Sequence, residues 1–274
     1  MRRNVLARIK IGSLDIVSIQ DMNVSFPPAG MFPNAPAGGW AVYRPIYPSA
    51  FAGDNLSLSI GAYAIVGAGR TIVVDTGLGP KTIPDNPGQL AANLTAEGID
   101  VADVDTVLFT HLHGDHVGWN FQGGRPTFPR ARYVVQQADW EFFSAQKDDA
   151  SVQAQVLPLE KTGALELVSG ETQFTPEITL VPTPGHTPGH QSIVVSSGGT
   201  RAFIAGDMAH HPAQAQETGW SPGFDNDAAM AARTRESFMQ RLEEDGSNAC
   251  FGHYPWPGFG LIVRENGRRI FRAL

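Results

Sequence analysis

The sequence predicts an α/β fold in which β-strands are interspersed with a few helices. Three observations support this class. Short apolar runs rich in β-branched residues recur along the whole chain. Residues 227–246 form an amphipathic helical pattern. No internal repeat, low-complexity linker or break in composition divides the 274 residues, so we expect a single domain spanning 1–274.

The first quarter of the chain predicts strands joined by turns. Residues 14–21 alternate between apolar and polar side chains, and residues 57–77 contain apolar runs broken at GAGR, which is typical of a hairpin. Between them, the loop from Ser25 to Ala52 is rich in Pro, Gly and aromatic residues and has no periodicity. Loops of this length are often functional, so we expect it to fold over a site or to form a dimer contact.

The middle of the chain alternates between helical and strand patterns. Residues 85–100 predict a helix of about ten residues that stops near Gly98, and DTVLFT at 105–110 predicts the next strand. We predict further strands at 132–136, 163–170 and 178–185, and a helix at 137–146. A hairpin is expected over 190–207, turning at Gly198 and Gly199.

The last quarter predicts one long helix and a final hairpin. The pattern at 227–246 is expected to bury one helical face, made by Ala229, Ala232, Phe238, Met239 and Leu242, and Gly246 follows its end. The dipeptide Asn266-Gly267 lies between two short apolar runs, which predicts a hairpin.

The composition excludes several classes of partner. A formal net charge of -7 and a pI near 5.6 argue against a nucleic-acid surface. The basic clusters at 1–3 and 264–269 are short and are interpreted as solvated surface. No apolar run approaches the roughly 20 residues of a membrane span, and we find no signal peptide. The single cysteine, Cys250, is interpreted as a buried small side chain, and we expect a cytoplasmic protein.

The stretch THLHGDHVG, residues 110–118, contains three of the eight histidines and an aspartate. If the chain stays extended after the preceding strand, His111 and His113 point the same way and can face one ion. Asp115 and His116 follow a glycine that lets the backbone turn, which frees them to face a second ion. Imidazole and carboxylate are ligands that suit Zn²⁺.

Three later residues are further candidate ligands. His186, Asp207 and His253 each follow an apolar run and lie beside Gly or Pro. Alone, they would be interpreted as a turn histidine, a helix cap and a packed histidine. Together with the cluster at 111–116 they are better interpreted as metal ligands, because loops at strand ends are where a rigid scaffold holds reactive groups.

The motifs HLHGDH, GHTPGH, AGD and GHYPWPG, in this order, resemble those of the metallo-β-lactamase superfamily of binuclear metallohydrolases. The resemblance implies a four-layer αββα sandwich with two metal ions at one edge of its packed sheets. It implies that His111, His113 and His186 bind one ion, that Asp115, His116 and His253 bind the other, and that Asp207 bridges both. It also implies that His190 supports the ligands from behind, the alternative being an ordinary buried hydrogen-bonding role.

The resemblance also implies hydrolysis. Two divalent ions, two carboxylates and a bridging hydroxide leave a charge of about +1 to meet a developing oxyanion. Asp115 is expected to be a ligand and also a proton acceptor or shuttle. The segments HLHGDHVGWN and GHYPWPGFG are most similar to those of the branch that contains N-acyl homoserine lactonases and methyl parathion hydrolase. Asp207 argues against the true β-lactamases, which lack that bridging aspartate.

One position departs from the lactonase pattern. In the lactonases a tyrosine three residues after the bridging aspartate hydrogen-bonds the substrate carbonyl, and here that position is His210. We expect His210 to replace the tyrosine as a donor to the carbonyl or leaving group. The alternative is a partly exposed histidine pair with His211.

We therefore expect a zinc-dependent hydrolase of small, neutral, largely apolar lactones or esters. A homodimer is a possible assembly, and we expect no nucleic-acid or membrane partner. Mn²⁺, Fe²⁺ and Co²⁺ are alternatives to Zn²⁺. Alternative activities are phosphotriester or aryl-ester hydrolysis and glyoxalase II-like thioester hydrolysis; an inactive metal-binding partner protein is disfavoured. Candidates for an apolar pocket, each of which is alternatively core, are Phe26, Met31, Phe32, Trp40, Trp119, Trp220, Phe224 and Trp256.

Overall fold

The computed structural model describes residues 7–80 and 82–274, so the basic cluster at 1–3 lies outside the described residues. In these ranges the strands are β1 (Arg8–Ile11), β2 (Leu14–Phe26), β3 (Phe51–Ala52), β4 (Asn55–Gly67), β5 (Arg70–Val74), β6 (Thr106–Leu108), β7 (Phe121–Gln122), β8 (Arg125–Pro126), β9 (Arg132–Gln136), β10 (Leu165–Val168), β11 (Thr172–Thr175), β12 (Ile178–Pro182), β13 (Gln191–Ser197), β14 (Thr200–Ile204), β15 (Asn248–Cys250), β16 (Phe259–Glu265) and β17 (Arg268–Ala273). The α-helices are α1 (Pro28–Met31), α2 (Leu90–Ala96), α3 (Gly114–Val117), α4 (Gln137–Ser144) and α5 (Ala228–Asp245).

The strands form two large mixed sheets. The first has the order β1-β2-β4-β5-β6-β9-β10, with β3 paired to β4, and the second runs β11-β12-β13-β14-β15-β16-β17. The predicted hairpins at GAGR, Gly198-Gly199 and Asn266-Gly267 are confirmed as β4–β5, β13–β14 and β16–β17. Asn266 and Gly267 have φ values of 49° and 79°, the left-handed backbone that a two-residue hairpin turn requires.

Three buried clusters show how the layers stack. Along β5, Val73 packs with helix α2 on the outer face of the first sheet, whereas Ile72 and Val74 face the strands of the second sheet. Along β13, Ile193 faces the first sheet and Val194 faces outward to the cluster that contains residues of α5. This alternation follows from the two-residue period of a strand. The predicted α/β class and four-layer αββα sandwich are confirmed.

Two predicted helices differ in detail from the structure. Helix α2 covers seven residues, because it begins only at Leu90, although Gly98 lies just past its end as predicted. Helix α5 is confirmed, but Ala229 is exposed and the buried face contains Ala231 and Arg235 in its first half. Arg235 belongs to this face because it is four residues from Ala231, and its buried guanidinium donates hydrogen bonds to backbone carbonyls.

The loop between β2 and β3 is not extended. It contains helix α1 and the 3-10 turns Gly39–Val42 and Pro48–Ala50. The ring of Trp40 lies at the centre of this segment, with ring centroids 5.3 Å from Phe32 and 4.6 Å from Trp220. These rings belong to a buried cluster that also contains Val194 and Phe203 of the second sheet. In the described residues, no helix is both long and apolar enough to cross a membrane.

Candidate metal centre

The predicted ligands lie together at one edge of the sandwich, where strands end. In the first sheet, β6 leads directly into residues 109–116. In the second sheet β12, β14 and β15 run in the same direction, so the segments that follow them carry His186, Asp207 and His253 to a common edge. The two packed sheets bring these segments together.

Three histidines and one carboxylate form the first donor group. His113 Nδ1 lies 3.0 Å from His111 Nε2 and 2.9 Å from His186 Nε2. The backbone of His113 is extended, with φ of -64° and ψ of 156°, in agreement with the expected extended backbone after the strand. One oxygen of Asp207, Oδ2, lies 3.2 Å from His186 Nε2 and 3.6 Å from His111 Nε2. These four side chains could hold one ion.

The second donor group contains Asp115, His116 and His253. Asp115 Oδ2 lies 3.7 Å from His116 Nε2 and 3.6 Å from His253 Nε2. Helix α3 begins at Gly114, and after this turn Asp115 and His116 belong to a different donor group from His113. The other oxygen of Asp207, Oδ1, lies 3.2 Å from His116 Nε2 and 3.0 Å from His253 Nε2. Asp207 therefore presents one oxygen to each group.

The donor set fits a pair of divalent ions. His116 Nε2 and Asp207 Oδ1 are buried and make no hydrogen bond within the described part of the chain, although they are 3.2 Å apart. Buried polar atoms without a hydrogen bond are unfavourable, and a cation between such donors would satisfy them. The clusters are consistent with a dinuclear metal site.

Two of the donors, His113 and Asp207, are held in the protonation states that bind metal. Burial, followed by the neighbouring His186, lowers the pKa of His113 to about 4. Burial opposes ionisation of Asp207, but the surrounding histidines, His116 first, hold the pKa of this carboxyl well below its usual range. At His116, His186 and His253 burial favours the neutral ring, but the Asp207 carboxylate raises the pKa of each ring above its ordinary value. A neutral imidazole and an ionised carboxylate are the forms that coordinate divalent ions.

Asp75 connects two of the histidines from behind. Its Oδ2 accepts a hydrogen bond from Thr110 Oγ1 at 2.7 Å and lies 2.9 Å from His116 Nδ1. Thr110 Oγ1 in turn lies 3.0 Å from His111 Nδ1. Asp75 was not predicted as a site residue, although a polar residue directly after the strand TIVV is a usable signal.

The remaining ring nitrogens have different partners. His253 Nδ1 lies 2.8 Å from the backbone oxygen of Ser59, whereas His186 Nδ1 lies 2.9 Å from Asp225 Oδ1. Asp225 also pairs with Arg235, whose Nη2 is 3.4 Å from Asp225 Oδ2. Neither Asp225 nor Arg235 was predicted from the sequence as a site residue.

His190 supports Asp207 through the backbone. Its Nε2 accepts a hydrogen bond of 2.9 Å from the Asp207 N–H, and its Nδ1 lies 2.8 Å from Thr183 Oγ1. Burial lowers the pKa of His190 to about 3, which keeps the ring neutral and its Nε2 able to accept. Gly206 has φ of 57°, and a Cβ there would come within 2.7 Å of His190 Nε2. The packed ring therefore requires glycine before Asp207.

The adjacent histidines His210 and His211 point to different environments. His210 Nε2 lies 3.0 Å from Asp207 Oδ2, and the His210 ring stacks on His253 with a centroid distance of 5.2 Å. His211 Nδ1 accepts from Ala213 N, and His211 Nε2 lies 3.3 Å from the Ala50 oxygen. Both side chains are buried, so the alternative of a partly exposed pair is wrong.

A cavity of about 510 Å³ opens on the donor groups. Its floor contains Asp115, Asp207, His210 and His253, with His113 and Gly114 at the side. Its remaining wall is apolar and is formed by Val24, Phe26, Gly30, Met31, Leu58, Ile60, Leu78 and Phe224. Phe26, Gly30 and Met31 come from the loop from Ser25 to Ala52, so part of that loop borders the site.

The aromatic candidates divide between cavity and core. Phe26, Met31 and Phe224 line the cavity, which was one of the two interpretations of their positions in the sequence. Phe32, Trp40 and Trp220 belong to the buried cluster behind the loop, and Trp119 packs in the outer core of the first sheet. Trp256 borders a separate, smaller depression. Sequence position beside a motif does not determine which way a side chain points, because neighbouring residues of a loop face different directions.

Two packed sheets with His and Asp donors at one edge define a class of metal-dependent hydrolases. Residues 59–258 match the model of the metallo-β-lactamase superfamily, and the chain belongs to that superfamily. The chain is 26% identical over 239 residues to an N-acyl homoserine lactonase from a Bacillus species. This match covers 80% of this chain and 88% of that protein.

Solved structures show the same fold at low identity. The hydrolase AbOPH of the β-lactamase superfamily has a TM-score of 0.88 and 22% identity, with 100% of this chain and 99% of that chain covered. AidC, a dizinc quorum-quenching lactonase in complex with a product, has a TM-score of 0.85 and 19% identity, with 97% of this chain and 96% of that chain covered.

Proposed function

We propose that the protein is a dinuclear metal-dependent hydrolase of small, neutral, apolar lactones or esters. The observation that carries this proposal is the cavity of about 510 Å³, because an apolar wall there faces a floor of ionisable donors. Such a cavity suits a substrate with an apolar acyl group on one side and a reactive carbonyl on the other.

The proposed ligands follow the two donor groups. His111, His113 and His186 would hold one ion, Asp115, His116 and His253 the other, and Asp207 both. Zn²⁺ is proposed because His and carboxylate donors suit it. A bound ion pair would supply acidification of a shared water and polarisation of the scissile carbonyl.

Asp115 is proposed to transfer protons. Its side chain is 28% exposed and lines the cavity, whereas the side chain of Asp207 is 3% exposed. The Asp115 carboxylate can therefore contact substrate and solvent, which proton transfer requires. His210 is proposed to contact the substrate carbonyl or leaving group, since it lines the cavity between Asp207 and Phe224.

The charge of the cavity supports a neutral substrate. Among the described residues that line it, none is Lys or Arg. A glutathione thioester would require a cation for its carboxylates, so the thioester alternative is less well supported. The similarity of the chain to lactonases supports lactones as the first substrate class to test.

The test is chelator-sensitive proton release in weak buffer. The panel contains lactones that differ in ring and acyl chain, an aryl ester and a phosphotriester, each assayed before and after chelation and after zinc is restored. We expect the fastest turnover with lactones and its recovery with zinc. Faster turnover of the phosphotriester or aryl ester would replace the lactone assignment, and an absence of turnover on every substrate would overturn the proposal.

A further inference from the structure

The histidines of the donor groups differ in what lies behind them. His111 and His116 are both connected to the Asp75 carboxylate, and His253 faces a backbone carbonyl. His186 instead faces Asp225, which comes from the loop before α5. Asp225 is the buried carboxylate that also pairs with a fully buried arginine.

Arg235 is held by carbonyl oxygens on three sides. Its Nε donates to Met208 O at 2.7 Å, and its Nη1 donates to Thr218 O at 2.6 Å and to Trp220 O at 3.2 Å. Its Nη2 lies 3.4 Å from Asp225 Oδ2, and the side chains of Arg235 and Asp225 are both 0% exposed. The planar fork of a guanidinium suits this fixed set of acceptors, whereas a lysine ammonium could not span it.

The contact with Asp225 places a hydrogen on Nδ1 of His186. A buried carboxylate at 2.9 Å from Nδ1 accepts a hydrogen bond only if Nδ1 is protonated. The other nitrogen, Nε2, faces His113 and Asp207 in the first donor group. With a cation in that group, a neutral ring that keeps its hydrogen on Nδ1 would present the Nε2 lone pair to the ion.

We propose that Asp225 and Arg235 are positioning residues that fix His186 in its metal-binding tautomer and orientation. Asp225 accepts the Nδ1 hydrogen, and Arg235 offsets the cost of burying the Asp225 charge. Arg235 also holds the backbone at Met208, next to Asp207, so the pair connects two residues of the first donor group. This inference rests on the proposed dinuclear site and adds residues that act through His186.

The first test compares zinc affinity in three proteins: the wild type, Asp225→Ala and a control, Asp227→Ala. Asp227 is exposed, lies two residues from Asp225 and caps α5 by accepting a hydrogen bond from Met230 N. Its replacement by alanine therefore removes a carboxylate of the same kind that has no contact with His186. In competition with a chromophoric chelator, Asp225→Ala should weaken one of two zinc equivalents by about 10- to 100-fold. The control should keep both equivalents at wild-type affinity.

The second test detects the tautomer directly. In the zinc-loaded, ¹⁵N-histidine-labelled wild type, nuclear magnetic resonance should show a slowly exchanging Nδ1–H on His186. That signal should be lost or exchange rapidly in Asp225→Ala and persist in Asp225→Asn, whose amide oxygen still accepts the hydrogen bond. Wild-type zinc affinity together with an unchanged His186 signal in Asp225→Ala would overturn the inference.

A rescue experiment tests Arg235. Arg235→Met leaves the Asp225 charge buried without its cation, and we expect weaker zinc binding. Adding Asp225→Asn should restore affinity to that of Asp225→Asn alone, whereas a purely structural arginine would give no rescue. If Arg235→Met fails to fold, Asp225→Ala and Asp225→Asn decide the question. Two tight equivalents unaffected by the Asp225 variants overturn this inference only, whereas a wild type that binds no zinc also overturns the proposed function.

Discussion

The floor and the wall of the cavity are built in different ways. The floor side chains have partners at defined distances, as His253 does with Ser59 O at 2.8 Å and with Asp207 Oδ1 at 3.0 Å. The wall side chains come from separate segments and contribute apolar surface without directional bonds. The function of the floor therefore depends on the position of individual atoms, whereas the function of the wall depends on its shape and apolar area. Substitutions should therefore affect reaction rate at the floor and substrate preference at the wall.

The largest effect is expected at the floor, for Asp207→Ala. This change removes the carboxylate that both donor groups share, so kcat should fall by more than about 1,000-fold. Far-ultraviolet circular dichroism would check that the fold is retained, and metal analysis would measure the zinc content. Turnover close to the wild-type rate in the folded variant would show that the floor is not the reaction site.

The next effect is expected for His210→Phe, which keeps a flat ring and removes both nitrogens. If His210 contacts the substrate in the transition state, kcat/KM on the best substrate should fall by about 100-fold, with kcat falling in parallel. An unchanged kcat/KM would exclude this role for His210. His211→Asn serves as the neighbouring control and should retain activity.

Behind the wall, His211 should make stability depend on pH. Its Nδ1 accepts from Ala213 N and its Nε2 faces Ala50 O, so the neutral ring satisfies both partners. Burial lowers the His211 pKa to about 3 from an ordinary value near 6.5. Because the unfolded chain gains the proton first, this contribution is complete above pH 6.5 and is lost as the pH falls, by about 2 kcal/mol between pH 7 and pH 5.

Urea unfolding at pH 7 and pH 5 would measure this loss of stability. A chelator is present in both experiments, because zinc binding itself depends on pH. The variant His211→Asn keeps an acceptor for Ala213 N and should lose less stability than the wild type between pH 7 and pH 5. Parallel losses in the two proteins would remove His211 as the cause.

The smallest effect is expected at the wall, for Phe26→Ala. Phe26 is 44% exposed and lines the cavity, so its loss should raise KM for long-chain substrates by about 5-fold with little change in kcat. Val42→Ala is the matched control, since Val42 is 47% exposed in the same loop and is absent from the cavity lining. Equal KM values for Phe26→Ala and Val42→Ala would place the acyl group elsewhere.

Much of the floor could be predicted from the sequence because its residues lie in short motifs after strands. The α/β class followed from the strand and helix patterns and is confirmed, as is membership of the superfamily, whereas the assignment of each floor residue as a metal ligand stays a prediction. The roles of His210 and Asp115, the one-domain organisation, a homodimer and a cytoplasmic location stay predictions.

The residues behind the floor were missed for two reasons. Arg235 carried a readable signal, because a charged residue on the apolar face of a helix is unusual, but the face was assigned from Ala229 instead. Asp225 lies in GFDND, where several polar residues are equivalent in sequence and only the packing of α5 selects one. Of the wall, Phe26, Met31 and Phe224 were among the candidates, but they could not be separated from core residues because apolar side chains in core and cavity look the same in a sequence.

The position of the donors at the junction of two sheets has a consequence for folding. His111, His113, Asp115 and His116 follow a strand of the first sheet, whereas His186, Asp207 and His253 follow strands of the second. A bound ion would thus be a cross-link between the halves of the sandwich, and separating the sheets would require its release. Ligand binding confined to the native state adds about 4 kcal/mol at 1,000 times the dissociation constant, so a bound ion would hold the two sheets together during transient opening of the sandwich.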